Sequence, residues 1–143
     1  MFIENNSTNE YFKIINRNKE TQKDITKKSQ LTGYFEKHHI IPKSMGGSNM
    51  KENTVFLSAE DHFKCHKLLI EMVISDKDRG KMWSSLWRMM NKQSRNQNRD
   101  FTFTDQEYAT ARMKHAEEHR NRMLGDNNPF KNKKHTDETK KRM

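Results

Sequence analysis

Four histidines with suggestive spacing fall in the first half of the chain. His38 and His39 are adjacent in EKHHIIP, and His62 and His66 are four residues apart in AEDHFKCHKLL. Residues four apart share one face of a helix, where two imidazoles can bind the same metal ion. Adjacent residues of a strand point to opposite faces, so the pair His38 and His39 is not expected to supply two equal ligands. The spacing therefore favours a metal site and different roles for the two neighbours.

The same spacing elsewhere shows how little one histidine pair proves. His115 and His119 are also four residues apart, and such a pair alone is more often structural or exposed than metal-binding. These two lie in a polar segment without a second histidine cluster nearby, so we expect them to be solvated or to face DNA. The first group is stronger because its members lie close together in a recognisable order of elements.

The segments around the first group predict strand, turn, strand and helix. GYFEKHHII is aromatic and β-branched, Pro42 ends it, and MGGSNMKEN has the composition of a turn. Residues 54–57 (TVFL) predict a second short strand, after which Ser58 can cap a helix with acidic residues in its first turn. A hairpin packed on that helix would bring His38 against the first helical turn. The amide of Asn53 can hydrogen-bond loop backbone and fix the hairpin.

Helical segments are predicted on both sides of this hairpin. A short helix starts at Ser7 or Thr8, and a lysine-rich loop follows to about residue 32. Residues 79–91 form a helix whose methionines and tryptophans indicate core packing.

A last helix is predicted after the polar connector 91–100. Thr104 and Glu107 form a capping box at its start, and Gly125 stops it. The helix has few apolar residues after Ala111, so its later turns should be solvated or lie along a partner.

Composition limits the classes of function. The chain has 143 residues, 31% hydrophobic and 33% charged, with a net charge of +9. This predicts one small core with exposed helical extensions and a polyanionic partner, either nucleic acid or an acidic membrane surface. No apolar run has membrane-spanning length, and the N-terminus does not have the pattern of a signal peptide. The single cysteine, Cys65, excludes an internal disulfide and a Cys-x-x-Cys zinc site, which fits a reducing intracellular setting.

The stretch HHIIPKSMGGSNMKENTVFLSAEDHFKCHKLL closely resembles the HNH endonuclease motif, also called the ββα-metal fold, over about residues 34–72. The His-His-Ile-Ile-Pro opening, the double glycine, Asn53 before an apolar strand, and Asp61-His62 with a later His66 all match. The resemblance implies an α+β fold: a small hairpin-plus-helix core surrounded by α-helices, with an extended basic C-terminal arm. It also implies a metal-dependent endonuclease of the phage homing type that nicks double-stranded DNA.

The resemblance also implies roles for individual residues. His38, His62 and His66 would bind one divalent metal ion, with Mg²⁺ as the first choice and Mn²⁺, Ni²⁺ or Zn²⁺ as alternatives. His39 would be the general base, because a neutral imidazole can take a proton from the attacking water. Asn53 would orient this base and hold the loop. The metal would offset charge on the scissile phosphate and the leaving oxygen.

The C-terminal segment GDNNPFKNKKHTDETKKRM is similar to the nuclease-associated modular DNA-binding motif of phage homing endonucleases. Its Asn-Asn-Pro-Phe turn, basic run and Thr-capped helix match, whereas Asn132 stands where glycine is usual. The resemblance implies an extended segment in the minor groove followed by a helix on the DNA. A disordered basic tail is the alternative. The predicted DNA contacts, mostly to phosphates, are Lys43 in the core and Lys131, Lys133, Lys134, Lys140, Lys141 and Arg142 in the arm.

Four parts of the chain follow from these assignments. Residues 1–33 form an N-terminal helix and basic loop, 34–75 the nuclease core, 76–124 a helical extension and 125–143 the DNA-binding arm. One motif and no evident dimerisation stripe predict a monomer, with dimerisation on DNA left open. No membrane partner is expected, and the expected location is the cytoplasm, that of the bacterial host if the chain is phage-encoded.

Two other functions remain open at the level of sequence. One is a restriction or junction-processing nuclease of the same fold. The other is a non-catalytic nucleic-acid-binding module whose histidines hold a structural zinc ion. A structural site has no need of a histidine beside its first ligand, so His39 favours catalysis.

Overall fold

The computed structural model describes residues 1–91, 97–99 and 101–143, and within these ranges it contains five α-helices and one two-stranded antiparallel sheet. In chain order the elements are α1 (Asn6–Thr21), β1 (Glu36–His39), β2 (Thr54–Leu57), α2 (Ala59–Met72), α3 (Asp76–Asn91), α4 (Asp105–Met123) and α5 (Asp137–Arg142). The α+β class predicted from the sequence is confirmed, with β1, β2 and α2 as a small ββα-like core. No helix among the described residues combines the length and apolar character needed to cross a membrane.

Helix α1 begins slightly earlier than its sequence predicts. The side chain of Asn5 accepts a hydrogen bond from the backbone N–H of Thr8 at 2.8 Å, so Asn5 caps the helix and Asn6 is its first residue. The predicted apolar face is buried, with Tyr11 and Ile15 at most 1% exposed. This face packs on α2 and brings the Tyr11 hydroxyl into the candidate site.

The hairpin is short, and its register decides which side chains point inward. Glu36 pairs with Leu57 and His38 with Val55, so these four residues lie on the buried face. His39 lies opposite Thr54 on the other face. The first strand covers only four residues, fewer than the predicted stretch, because β2 offers only four residues for pairing.

Helix α2 starts as the sequence predicts. The Ser58 hydroxyl accepts a hydrogen bond from the backbone N–H of Asp61 at 3.1 Å. Phe63, Leu69 and Ile70 are buried, in agreement with the predicted apolar face, and α2 lies between α1 and α3. This packing fixes the helix that carries His62 and His66.

Helices α3 and α4 form a pair beside the core. The buried residues of α3 are Met82, Leu86 and Met89, whereas the two tryptophans of the predicted stripe are only half-buried. In α4 both bonds of the predicted capping box between Thr104 and Glu107 are present. Of the predicted polar connector, residues 92–96 and 100 lie outside the described residues.

Candidate active site

Three histidines from two elements meet at the centre of the hairpin–helix core. His38 comes from β1, and His62 and His66 come from successive turns of α2. One nitrogen of each ring lies within 4.8 Å of a nitrogen of the other two. The fold thus brings together the three residues for which the sequence predicts metal binding.

Tyr11 determines which nitrogen of His38 carries a proton. Its hydroxyl oxygen lies 2.8 Å from Nε2 of His38 and 2.8 Å from the carbonyl oxygen of Ile40. A carbonyl can only accept, so the hydroxyl donates its single hydrogen to Ile40 and accepts from the Nε2–H of His38. Burial, aided by Cys65, raises the pKa of Tyr11 far above its ordinary value, so the hydroxyl keeps its hydrogen. Nδ1 of His38 is therefore the nitrogen with a lone pair.

Glu36 and Arg99 lie behind His62. Oε2 of Glu36 is 3.5 Å from Nδ1 of His62, and Nε of Arg99 donates to both carboxylate oxygens, at 2.7 and 3.1 Å. Burial acts to raise the pKa of Glu36, but hydrogen bonds from His62 and Arg99 outweigh it and lower the pKa to about 2. A charged Glu36 favours a proton on Nδ1 of His62, which leaves Nε2 with the lone pair.

His66 has hydrogen-bonding capacity that the described residues do not satisfy. Its Nε2 lies 3.1 Å from Nε2 of His62, and its buried Nδ1 has no hydrogen-bond partner among the described residues. Burial, followed by the neighbouring His62, lowers the pKa of His66 to about 3. Burial and the two imidazoles of the cluster likewise lower the pKa of His38 well below its ordinary value. Both rings are thus neutral near pH 7, as metal ligands must be.

The cluster fits a divalent transition metal ion. Two nitrogens bound tetrahedrally at about 2.0–2.1 Å from zinc lie about 3.3 Å apart, close to the 3.1 Å between the Nε2 atoms of His62 and His66. Imidazoles without a carboxylate suit zinc, nickel, copper or iron, whereas Mg²⁺ prefers oxygen ligands. The observed donor set therefore could hold such a metal.

His39 has a separate environment on the opposite face of β1. Its Nε2 lies 2.8 Å from the amide oxygen of Asn49, and its side chain is half-buried. An amide oxygen only accepts, so Nε2 of His39 carries the hydrogen and Nδ1 is free to accept a proton. Nothing in the sequence singled out Asn49, because its contact depends on how the loop between the strands folds back.

Asn53 closes that loop through three hydrogen bonds. Its Oδ1 accepts from the N–H of Ile41 at 2.8 Å, and its Nδ2 donates to the carbonyls of Ile41 and Ser48 at 3.0 and 2.9 Å. The predicted bonds to loop backbone are therefore present. The structure shows no bond from Asn53 to His39, whose direct partner is Asn49. Any effect of Asn53 on the ring of His39 must pass through the loop.

Gly47 is packed inside the same loop. A Cβ at this position would lie 1.8 Å from the carbonyl oxygen of Ile41 and 2.8 Å from Nδ2 of Asn53. Only glycine allows this close approach of the two backbone segments. Packing thus requires glycine at the second position of the double glycine, Gly47.

The residues for which the sequence predicts DNA contact are exposed. Lys43 lies in a 3₁₀ turn (Lys43–Met45) after the first strand. In the arm, Asn132 has φ +64, so it adopts the left-handed conformation in which glycine is usual. Thr136 caps α5 by accepting from the N–H of Thr139. The exposed basic residues of the arm are Lys131, Lys133, Lys134, Lys140, Lys141 and Arg142.

His115 corrects one expectation. It was expected to be solvated or to face DNA, but its Nδ1 lies 3.1 Å from the Ser84 hydroxyl, and its ring stacks on Trp87 with centroids 5.9 Å apart. It therefore packs α4 against α3, while His119, one turn later, is exposed. Four-residue spacing alone did not distinguish these two environments.

Comparison with known proteins gives a consistent set of relatives. The chain is 36% identical over 101 residues to the Enterobacteria phage T4 protein named "Probable mobile endonuclease C", a match of 71% of this chain and 43% of that protein. It is 33% identical over 118 residues to "Probable mobile endonuclease D" of the same phage, 82% of this chain and 43% of that protein. The chain thus spans less than half the length of these relatives. No solved structure matches.

The C-terminal part has a match of its own. Residues 113–143 match the NUMOD3 motif, which covers the predicted arm and also the second half of α4. The chain is thus similar to phage proteins named mobile endonucleases and ends in a NUMOD3 motif.

Proposed function

We propose that this chain is a metal-dependent HNH endonuclease of the homing type that nicks double-stranded DNA. The observation that carries the proposal is the division of roles along β1. His38 lies on the buried face with His62 and His66, and His39 lies on the other face with Asn49. The names of the relatives and the NUMOD3 match support a nuclease that acts on DNA.

In this proposal His38, His62 and His66 would hold the metal ion. When bound, the ion supplies Lewis acidity that stabilises negative charge on the scissile phosphate and the leaving oxygen. Tyr11 and Glu36 would fix the tautomers of these ligands, which leaves a lone pair on Nδ1 of His38 and on Nε2 of His62. Because the donors are imidazoles, zinc or nickel fits the site better than the Mg²⁺ preferred from the sequence.

His39 acts as the general base. Nδ1 of His39 takes a proton from the attacking water, and the amide of Asn49 holds the ring through Nε2–H. Asn53 and Gly47 hold the loop that carries Asn49. Residues 34–75 are the nuclease core in this proposal, and residues 125–143 are the arm that binds DNA through Lys131, Lys133, Lys134, Lys140, Lys141 and Arg142.

The alternative, a module with a structural zinc ion, explains fewer features of the site. Structural zinc sites have four protein ligands, whereas catalytic sites have three and leave one position open. Among the described residues the cluster has three members. A structural site also leaves the pair His39 and Asn49 without a purpose.

Nicking of supercoiled plasmid tests the proposal. The protein is stripped with a chelator and assayed with Mg²⁺, Mn²⁺, Ni²⁺ or Zn²⁺ in turn, beside His39→Ala and His38→Ala. We expect nicked circles from the wild-type chain with at least one metal and none from either variant. Wild-type product no higher than that of His39→Ala with every metal would contradict the proposal, and equal nicked and linear product at early times would contradict single-strand cutting.

A further inference from the structure

A polar groove runs between α3 and the second half of α4. On the α3 side it is lined by Lys77, Lys81, Ser84, Ser85 and Arg88, and on the α4 side by His115, His119 and Arg122. The α3 residues recur at helical spacing, so they form one continuous stripe on that helix. The groove is thus a surface built by two packed helices.

The charge of the groove is positive. Lys77, Arg88 and Arg122 are exposed, and none of them has a carboxylate partner among the described residues. The two acids in the lining are Asp76, which pairs with Arg79, and Glu118. Three unpaired cations along one groove attract a polyanion.

The groove connects the nuclease core to the arm. Within the α3 stripe, Nζ of Lys81 donates to the carbonyl of Ser44 at 3.0 Å and to Asp78 at 2.7 Å, which ties the turn containing Lys43 to α3. The lining also includes Asn127, in the first turn of the arm. The groove lining therefore includes residues of the turn that follows β1 and of the arm.

The second half of α4 contributes no buried residue to the core. Ala111 is the one buried residue of α4, yet the NUMOD3 match begins at residue 113, inside this helix. His115 packs this half of α4 on α3, and the exposed His119 and Arg122 of the same half line the basic groove.

We propose that one strand of the DNA duplex lies along this groove, with phosphates on Lys77, Arg88 and Arg122. This inference rests on the proposed function only in taking DNA as the ligand. From residue 77 to residue 88, α3 is about 16 Å long, the axial length of about five nucleotides of one strand. The groove thus supplies the backbone contacts between the core and the arm.

A matched pair of triple variants tests the groove. Lys77→Ala/Arg88→Ala/Arg122→Ala removes its cations, and Lys13→Ala/Lys27→Ala/Lys28→Ala removes the same charge from exposed positions outside it. Binding of the metal-free protein to a labelled duplex is measured by fluorescence anisotropy at several salt concentrations. Each lost phosphate contact reduces the magnitude of the slope of log K against log salt by about 0.9. The slope of the groove variant should therefore be shallower than that of the wild-type chain by about two to three units, and the slope of the control variant by less than one. Melting temperatures of both variants establish that they are folded.

The outcomes distinguish a failure of DNA binding along the groove from a failure of the proposed nuclease activity. Equal slopes of log K against log salt for the two variants would show that DNA does not bind along the groove, whether or not the wild-type chain nicks plasmid. A groove variant with the expected loss, in a chain that cuts no DNA with any metal, would support the groove and contradict the nuclease. Tighter wild-type binding to an RNA duplex of equal length would overturn DNA as the occupant.

Discussion

His38 and His39 are consecutive residues of β1 and lie on opposite faces of the hairpin. His38 is 2% exposed and points to His62 and His66, whereas His39 is half-buried and contacts Asn49. The alternation of a strand is thus enough to give two adjacent imidazoles different environments.

Tyr11→Phe should weaken metal binding without unfolding the chain. Phenylalanine keeps the ring but cannot accept the Nε2–H of His38, so the orientation and tautomer of the imidazole are no longer fixed. Loss of such a supporting bond lowers metal affinity about 10–100-fold. Calorimetric titration with zinc measures the change, with the exposed Tyr108→Phe as control. Equal affinities for both variants would show that Tyr11 does not position His38.

Gly47→Ala and Gly46→Ala should differ sharply in stability. The Cβ at 47 would overlap the carbonyl of Ile41, whereas the Cβ at 46 meets nothing within 4 Å and adds only the strain of φ +90. Strain of that kind costs about 1–2 kcal/mol, and the overlap at 47 should cost clearly more because backbone must move. Urea unfolding compares the two, and similar midpoints would contradict the close packing of the loop.

The metal-free chain should lose stability as the pH falls below neutral. The folded pKa of His66 is about 3 against an ordinary 6.5, so between these values the unfolded chain binds a proton that the folded chain does not. Its contribution is therefore present above pH 6.5 and lost as the pH falls toward 3. Glu36, with a folded pKa of about 2 against 4.5, adds a further loss below pH 4.5.

Denaturant unfolding of chelator-treated protein from pH 7.5 to 4 measures this dependence. His66→Phe removes the titrating ring and should give a flatter profile above pH 4.5. A wild-type stability that is constant between pH 7 and 5 would contradict the neutral buried imidazole.

Removal of the arm should weaken DNA binding but leave the metal site intact. A chain that ends at Leu124 lacks the basic residues of 125–143, so fewer counterions are released on binding and the salt dependence should be shallower. Zinc affinity should match that of the full chain, because the histidine cluster lies in the core. An unchanged salt slope in the shortened chain would mean that the arm does not contact DNA.

The sequence predicted the local features of the site better than its supporting contacts. The cap at Ser58, the strand at 54–57 and the loop bonds of Asn53 follow from neighbouring residues and turn chemistry, and the structure contains them. The contacts of Tyr11 and Arg99 join segments 27 and 63 residues apart, and no local pattern encodes such pairs. Helix α1 had an apolar face in the sequence, but nothing there assigned its tyrosine to His38.

The length of β1 shows a second limit of prediction from the sequence. Its aromatic and β-branched composition extends over nine residues in GYFEKHHII, yet Glu36–His39 alone pair with a partner strand. Strand length depends on the partner as well as on propensity. The register, and with it the inward side of His38, was fixed by β2 packing Val55 and Leu57 into the core.

The central claim is that His38 binds metal and His39 does not, although cleavage needs both. Zinc titration by calorimetry, with single-turnover nicking on the same preparations, tests it on His38→Ala and His39→Ala. We predict that both variants lose nicking, that His38→Ala loses metal affinity by about 10-fold or more, and that His39→Ala binds metal as the wild-type chain does. If His39→Ala binds metal as poorly as His38→Ala, both histidines are ligands and the separation along β1 is wrong.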